Sequence, residues 1–302
     1  MRAILFGASK AGENYVSNHP DIEVVAFTDN DSAKHGTRFM GYPIIAPADI
    51  NTHDVDSIII TSQWVDQIYS QLTEEMGINE SNIIVPSKQS VKAALPFEDN
   101  ETLAFAQSVM RTLNRYFVSH NISACLDSGT LLGAVRNKGL IPWDDDIDLA
   151  VDKDNYERLQ ASLPELHKLL NTNYDVKWNI VIITVNNIDC CINLEFSNSS
   201  HTQLVPFDIS IQRRESINGL SELLSSGGLF FAPAKHFDSY EPIEFLGETF
   251  LAPFDAEGFL TFMYGHWQTP KKTTQITEYE NRRASMSAPR TGISVQKRTL
   301  SQ

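Results

Sequence analysis

The sequence predicts an α/β domain followed by a larger α+β domain. Three observations carry this. Residues 1 to about 86 alternate strand and helix patterns, which implies a parallel sheet with helices on its faces. Pro86 and Pro96 bracket a short stretch with Ser and Lys that reads as a linker. After it, a long amphipathic pattern leads into alternating carboxylates and aliphatics, then into stretches patterned as antiparallel strands. A chain of 302 residues is long enough to bury two such cores.

In the first domain, placed at residues 1–90, Arg2 to Phe6 is a strand. Gly7-Ala-Ser-Lys-Ala-Gly12 is a turn that opens a helix to about Asn18. Ile22 to Thr28 is the next strand, and Tyr42-Pro-Ile-Ile is a short extended piece. Ser57 to Thr61 is a buried strand, Trp64 to Met76 a helix, and Asn82 to Val85 a last strand. Together these make a small Rossmann-like domain. Its glycine turn is incomplete, because the dinucleotide fingerprint G-x-G-x-x-G has Ser9 at its middle glycine. Asp29 falls 17 residues after Gly12, near the place of an acidic ribose contact. Gly7, Ser9, Gly12 and Asp29 are therefore candidates for a nucleotide site, with a structural or assembly role as the competing reading.

The second domain is placed at residues 97–272. Glu98 to His120 is a helix whose stripe of Leu103, Ala106, Val109, Met110, Leu113 and Phe117 faces a core. Ile122 to Leu126 is a short strand, Asp127-Ser-Gly-Thr a turn, and Leu131 onward a helix. The amides of a helix N-terminus suit phosphate. Gly129 permits close approach, Ser128 or Thr130 adds a hydroxyl, and Arg136 adds a guanidinium that can grip phosphate bidentately.

Four carboxylates then occupy five positions, Asp144, Asp145, Asp146 and Asp148. If Ile141 to Val151 is a strand, Asp144, Asp146 and Asp148 share one face, while Asp145, Ile147, Leu149 and Val151 share the other. Carboxylates massed on a half-buried strand call for a hard cation such as Mg2+. A helix capped by Asp152 or Asp154 follows. Next come antiparallel strands at Val176 to Ile183, Cys191 to Phe196 and Val205 to Ile211. Glu195 reads as a surface glutamate in preference to an extra acid of the site. Phe230 to Ala252 is a strand-and-turn region, Asp255 to Tyr264 a short helix, and residues 273–302 a polar, basic tail expected to be mobile.

A net charge of −14 excludes broad nucleic-acid binding but not a small nucleotide, whose phosphates a metal and a few local cations can neutralise. Residues 270–302 run against that charge with seven Lys/Arg and two Glu. No apolar run is long enough to span a membrane, the first residues read as a strand and not a signal peptide, and three cysteines form no disulfide frame. These features imply a reducing cytoplasm.

The segment Leu126 to Val151 resembles the signature of the LicD/fukutin family, whose core is similar to the nucleotidyltransferase (DNA polymerase β-like) fold. Val205-Pro-Phe-Asp-Ile-Ser-Ile resembles that family's later strand, and Tyr264-Gly-His-Trp-Gln-Thr-Pro its closing element. The resemblance covers roughly residues 98–272. It implies a phosphotransferase of polysaccharide or lipopolysaccharide biosynthesis. Such an enzyme moves a phosphocholine- or ribitol-phosphate-like group from a CDP-activated donor to a sugar hydroxyl of a cell-surface glycan or glycolipid, with Mg2+ or Mn2+. It further implies Asp146, Asp148 and Asp208 as catalytic residues, Asp144 as a fourth metal ligand, and Ser128, Gly129, Thr130 and Arg136 as donor contacts. Two departures are visible. The third-carboxylate strand continues Ser210-Ile-Gln-Arg where the family often has Phe-Pro-Leu-Asp, and His266 stands where an acid is common. The first domain resembles Rossmann-like modules attached to bacterial surface-polysaccharide enzymes, in which Phe-x-Asp-Asn-Asp also recurs. The alternative is a Rossmann-type nucleotide-sugar or NAD(P)-binding protein with an accessory C-terminal domain. It is disfavoured by the incomplete turn and by the lack of a Tyr-x-x-x-Lys pair after it.

Overall fold

The structure, a computed structural model, describes residues 1–92, 95–272 and 295–300. Two compact units divide between Ala93 and Ala94; the second also takes in the strand Val295–Thr299.

In the first unit the strands are β1 (Arg2–Phe6), β2 (Glu23–Thr28), β3 (Arg38–Phe39), β4 (Tyr42–Ile45), β5 (Ser57–Ile60) and β6 (Ile83–Ile84), and the helices are α1 (Lys10–Asn18) and α2 (Val65–Ser70). The sheet order is β3-β4-β2-β1-β5-β6, parallel except for the β3–β4 hairpin. That hairpin turns on Met40 and Gly41, both at positive φ, the pairing that matches the right-handed twist of its strands. β1 and β5 are buried along their aliphatic runs, as strands covered on both faces must be. The expected helix through Met76 is α2 continued by a π-helical turn, Gln71–Glu75.

The second unit opens with α3 (Asn100–Ser119), whose expected stripe is buried at Ala106, Val109, Met110, Leu113 and Phe117, with Leu103 partly so. Asp99 caps it by accepting from the Thr102 amide. There follow β7 (Cys125–Leu126), α4 (Ser128–Leu132), β8 (Asp146–Val151), α5 (Lys153–Asn173), β9 (Val176–Val185), β10 (Ile188–Asn198) and β11 (Asp208–Ile217). Then come β12 (Leu220–Leu223), β13 (Phe231–Pro233), β14 (Tyr240–Phe245), β15 (Glu248–Pro253), α6 (Ala256–Tyr264) and β16 (Val295–Thr299). The main sheet runs β14-β15-β7-β8-β11-β10-β9-β16 and is mixed: β8 and β11 are parallel, whereas β9, β10 and β16 are antiparallel to their neighbours. Ile147, Leu149, Val151, Ile209, Ile211, Ile192 and Leu194 join one core with residues of α3 and α5. All three cysteines are buried thiols.

Two sequence readings change. The strand expected from Ile141 starts only at Asp146. Ile141 accepts from the Asp144 amide at 3.0 Å, closing a β-turn with Pro142 at its second position, where proline is favoured. The tail expected to be mobile contains β16, paired along β9; its residues 273–294 and 301–302 lie outside the described residues.

Candidate functional site

The site is one face of the central strands. Because side chains alternate, the residues that place Ile147, Leu149, Ile209 and Ile211 in the core must turn Asp146, Asp148, Asp208 and Ser210 to the other face. The parallel register sets Asp208 beside Asp146 and Ser210 beside Asp148. β10 extends the row: Asn193 pairs with Ser210 and Leu194 with Ile209, so Glu195 comes next to Asp208. Three carboxylates from three adjacent strands therefore sit side by side at a spacing of about 4.8 Å between strands. The surface reading of Glu195 is thus corrected: it is half-buried, and burial and then the Asp208 charge raise its carboxyl above the ordinary range.

Asp144 and Asp145 reach the row by another route. The Pro142 turn, not a strand, carries them, so alternation does not apply. Ligand oxygens of Asp144, Asp145 and Asp146 all lie within 4.8 Å of one another. Three half-buried carboxylates so close repel strongly, and a divalent cation would relieve that. Gly129 faces this group. A Cβ there would meet Asp144 Oδ2 at 2.2 Å, so the Asp144 carboxylate uses the space a side chain would fill. Gly129→Ala is expected to keep the fold, because a carboxylate end can swing away, but to weaken divalent-metal binding. Calorimetric titration with Mn2+ checks this; unchanged affinity would separate Asp144 from any cation that the group holds.

The turn before α4 is held from inside. Asp127, 1% exposed, donates its amide to the Asp148 carbonyl and accepts the Ser128 amide at Oδ1 (2.7 Å). Its Oδ2 accepts Arg214 Nε at 2.8 Å. Arg214, 4% exposed, stacks over the Phe237 ring at 4.2 Å. Ser128 sits at φ +47°, a strained conformation for a non-glycine residue. Asp127 thus takes the amide of Ser128, the residue whose hydroxyl is an expected donor contact, and with it one of the helix N-terminal amides that suit phosphate. Thr130, also expected there, is buried and accepts the Asp148 amide at 2.9 Å, tying α4 to β8. Arg136 donates to the Trp267 carbonyl (3.1 Å) and lies over the Trp143 ring, which brings the closing Tyr264-to-Pro270 element to the site. Burial lowers its proton affinity, with Tyr264 and Asp144 opposing. Asp148 is held on its other side: Gln212 Nε2 donates to Oδ1 at 3.1 Å.

Sequence reasoning missed Asp127, Arg214 and Gln212. For Gln212 and Arg214 the available signal is the period of two along β11, which puts 208, 210, 212 and 214 in one phase; Asp127 has no such signal.

In the first unit, Gly7 (φ +124°) and Gly12 are required: a Cβ would lie 2.7 Å from the Thr61 carbonyl oxygen at one and 2.6 Å from the Gly7 carbonyl oxygen at the other. Ser9 Oγ donates to the Thr61 carbonyl. Asp29 Oδ2 accepts the Ala8 amide (3.1 Å) and Lys34 Nζ (2.7 Å). The carboxylate expected for a ribose is thus engaged, and with it an amide of the glycine turn.

Residues 121–255 match a family described as LicD/FKTN/FKRP, nucleotidyltransferase domain, and residues 1–84 one described as C2185-like, N-terminal. A stretch of 75 residues is 46% identical to the lipopolysaccharide cholinephosphotransferase LicD of Haemophilus influenzae, covering 23% of this chain and 28% of that protein. A stretch of 73 residues is 38% identical to an uncharacterized protein of Rickettsia prowazekii, covering 24% of this chain and 27% of that one. The chain thus spans little more than a quarter of these relatives' length. Among solved structures, UDP-D-quinovosamine 4-dehydrogenase from Vibrio fischeri covers 28% of this chain and 76% of its own, at TM-score 0.24 and 19% identity. Biliverdin reductase from Synechocystis covers 92% and 94%, at TM-score 0.25 and 10% identity. Neither score carries the fold.

Proposed function

The chain belongs, through residues 121–255, to the LicD family, and from that premise we propose that it transfers a phospho-alcohol from a CDP-activated donor to a sugar hydroxyl of a cell-surface glycan. The observation that carries this is the row Asp146–Asp208–Glu195 on a sheet face flanked by Asp144 and Asp148. In this reading the second unit has the nucleotidyltransferase-like fold, and the first, Rossmann-like, serves structure or assembly. The engaged Asp29 supports that division, since a dinucleotide would have to displace Lys34 and the Ala8 amide from it.

The donor set is all oxygen and anionic, which fits Mg2+ or Mn2+, with Asp144, Asp146, Asp148 and Asp208 as the residues that would hold it. Bound there, the cation supplies charge neutralisation for the diphosphate and its leaving oxygen. The chain's own groups do the rest. Gly129 leaves room for the Asp144 carboxylate. Arg136, fixed by Trp267, presents its charge at the edge of the site to donor phosphate. Asp208 is the most exposed carboxylate of the row and accepts the proton of the incoming sugar hydroxyl. The hydroxyl oxygen bonds to the phosphorus bearing the alcohol, the bond from that phosphorus to the bridging oxygen breaks, and CMP leaves. Among the described residues no helix is long and apolar enough to cross a membrane.

The test is a panel of CDP-alcohols with Mg2+, with and without a surface glycan, read as CMP release, beside calorimetric titration with NAD+. Glycan-stimulated CMP release from one donor, and no heat with NAD+, are expected. No CMP from any donor, with tight NAD+ binding, would overturn the reading.

A further inference from the structure

Resting on that reading, we infer that Gln212 is a positioning residue: it fixes the carboxylate of Asp148 for metal binding, and Ser225 fixes Gln212 in turn. Gln212 lies on β11 in the same phase as Asp208 and Ser210, two residues beyond the position level with Asp148. From there its Nε2 donates to Asp148 Oδ1 at 3.1 Å, and its Oε1 accepts from Ser225 Oγ. Ser225 belongs to the turn Leu224–Ser226, which is followed by Gly227 and Gly228, both at positive φ.

The chemistry makes this orientation one-sided. An ionised carboxylate only accepts, so the NH2 end of the amide must face Asp148. A serine hydroxyl can donate, so the carbonyl end is satisfied by Ser225. Both ends of the amide are then committed. A free carboxylate rotates about its terminal bond, but one held at Oδ1 presents Oδ2 in a fixed direction. A neutral amide also has an advantage over a lysine or arginine here. It orients Asp148 without adding positive charge to a group of carboxylates whose use is to attract a cation. The neighbouring Arg213 is turned to the opposite side, where it lies over the Tyr156 ring and donates to the Asp189 carbonyl.

Partners that orient metal ligands commonly contribute 10- to 100-fold in metal affinity. Gln212→Met keeps length and removes the donor; Gln212→Asn keeps the donor but withdraws it from reach. Each is expected to weaken Mn2+ binding, read by calorimetry on the full chain, by about tenfold or more. Ser225→Ala is expected to move affinity in the same direction by less. Melting without metal should stay near wild type, which a merely structural role for Gln212 would not give. Wild-type Mn2+ affinity in folded Gln212→Met or Gln212→Asn overturns the inference while leaving the proposed function standing. Should Gln212→Met not fold, Gln212→Asn is read in the same way. A wild-type chain that binds no Mn2+ overturns both.

Discussion

Asp146→Asn and Asp208→Asn are each expected to lower turnover by about two to four orders of magnitude, measured as the initial rate of CMP formation with Mg2+. Each change keeps size and removes one charge from adjacent positions of the β8–β11 ladder. Loss of a ligand and of local negative charge removes several kcal/mol of transition-state stabilisation, and each 1.36 kcal/mol is tenfold in rate. The fold should not suffer. Neutralising one of several crowded carboxylates relieves repulsion, so melting in EDTA is expected at or above the wild-type temperature. A variant that loses activity by unfolding would show the opposite.

Breaking the Asp127–Arg214 pair is expected to have the largest effect on stability. Its side chains are 2% and 3% exposed, and each is also hydrogen-bonded elsewhere, Asp127 to the Ser128 amide and Arg214 to the Ser221 carbonyl. Removing either partner leaves a buried charge uncompensated. Asp127→Asn or Arg214→Met should therefore cost about 3–5 kcal/mol in urea unfolding. Asp127→Leu combined with Arg214→Met should recover part of that, because a buried pair replaced by apolar residues of similar volume is often neutral. By contrast, Lys235→Ala breaks a pair with Asp255 whose side chains are 61% and 42% exposed, and should cost at most about 1 kcal/mol. Equal costs at the two sites would mean that Asp127 and Arg214 are not the anchor of the α4 turn.

Local periodicity made much of this arrangement readable. The stripe of α3 is buried as its spacing implies, and Asp208 opens a strand whose aliphatic phase enters the core. What periodicity cannot see is pairing between distant segments. Asp127 and Arg214 are 87 residues apart, and Asp148 and Gln212 are 64 apart. Each bond exists only because β7, β8 and β11 lie side by side. Glu195 is out of reach of periodicity for the same reason: within β10 it is one glutamate on a polar phase, and only the β10–β11 register brings it to Asp208. The start of β8 has a different cause. In the sequence alternation continues back to Ile141, but Pro142 closes a turn there, and the turn changes which way Asp144 and Asp145 point.

The proposed function makes the carboxylate row a metal-dependent phosphotransfer centre. Its most direct test follows a CDP-alcohol with the acceptor glycan by 31P NMR, comparing wild type with Mg2+, wild type with EDTA, and Asp208→Asn with Mg2+. The expected result is conversion to CMP and a glycan phosphodiester in the first sample only. Equal conversion in all three would contradict it.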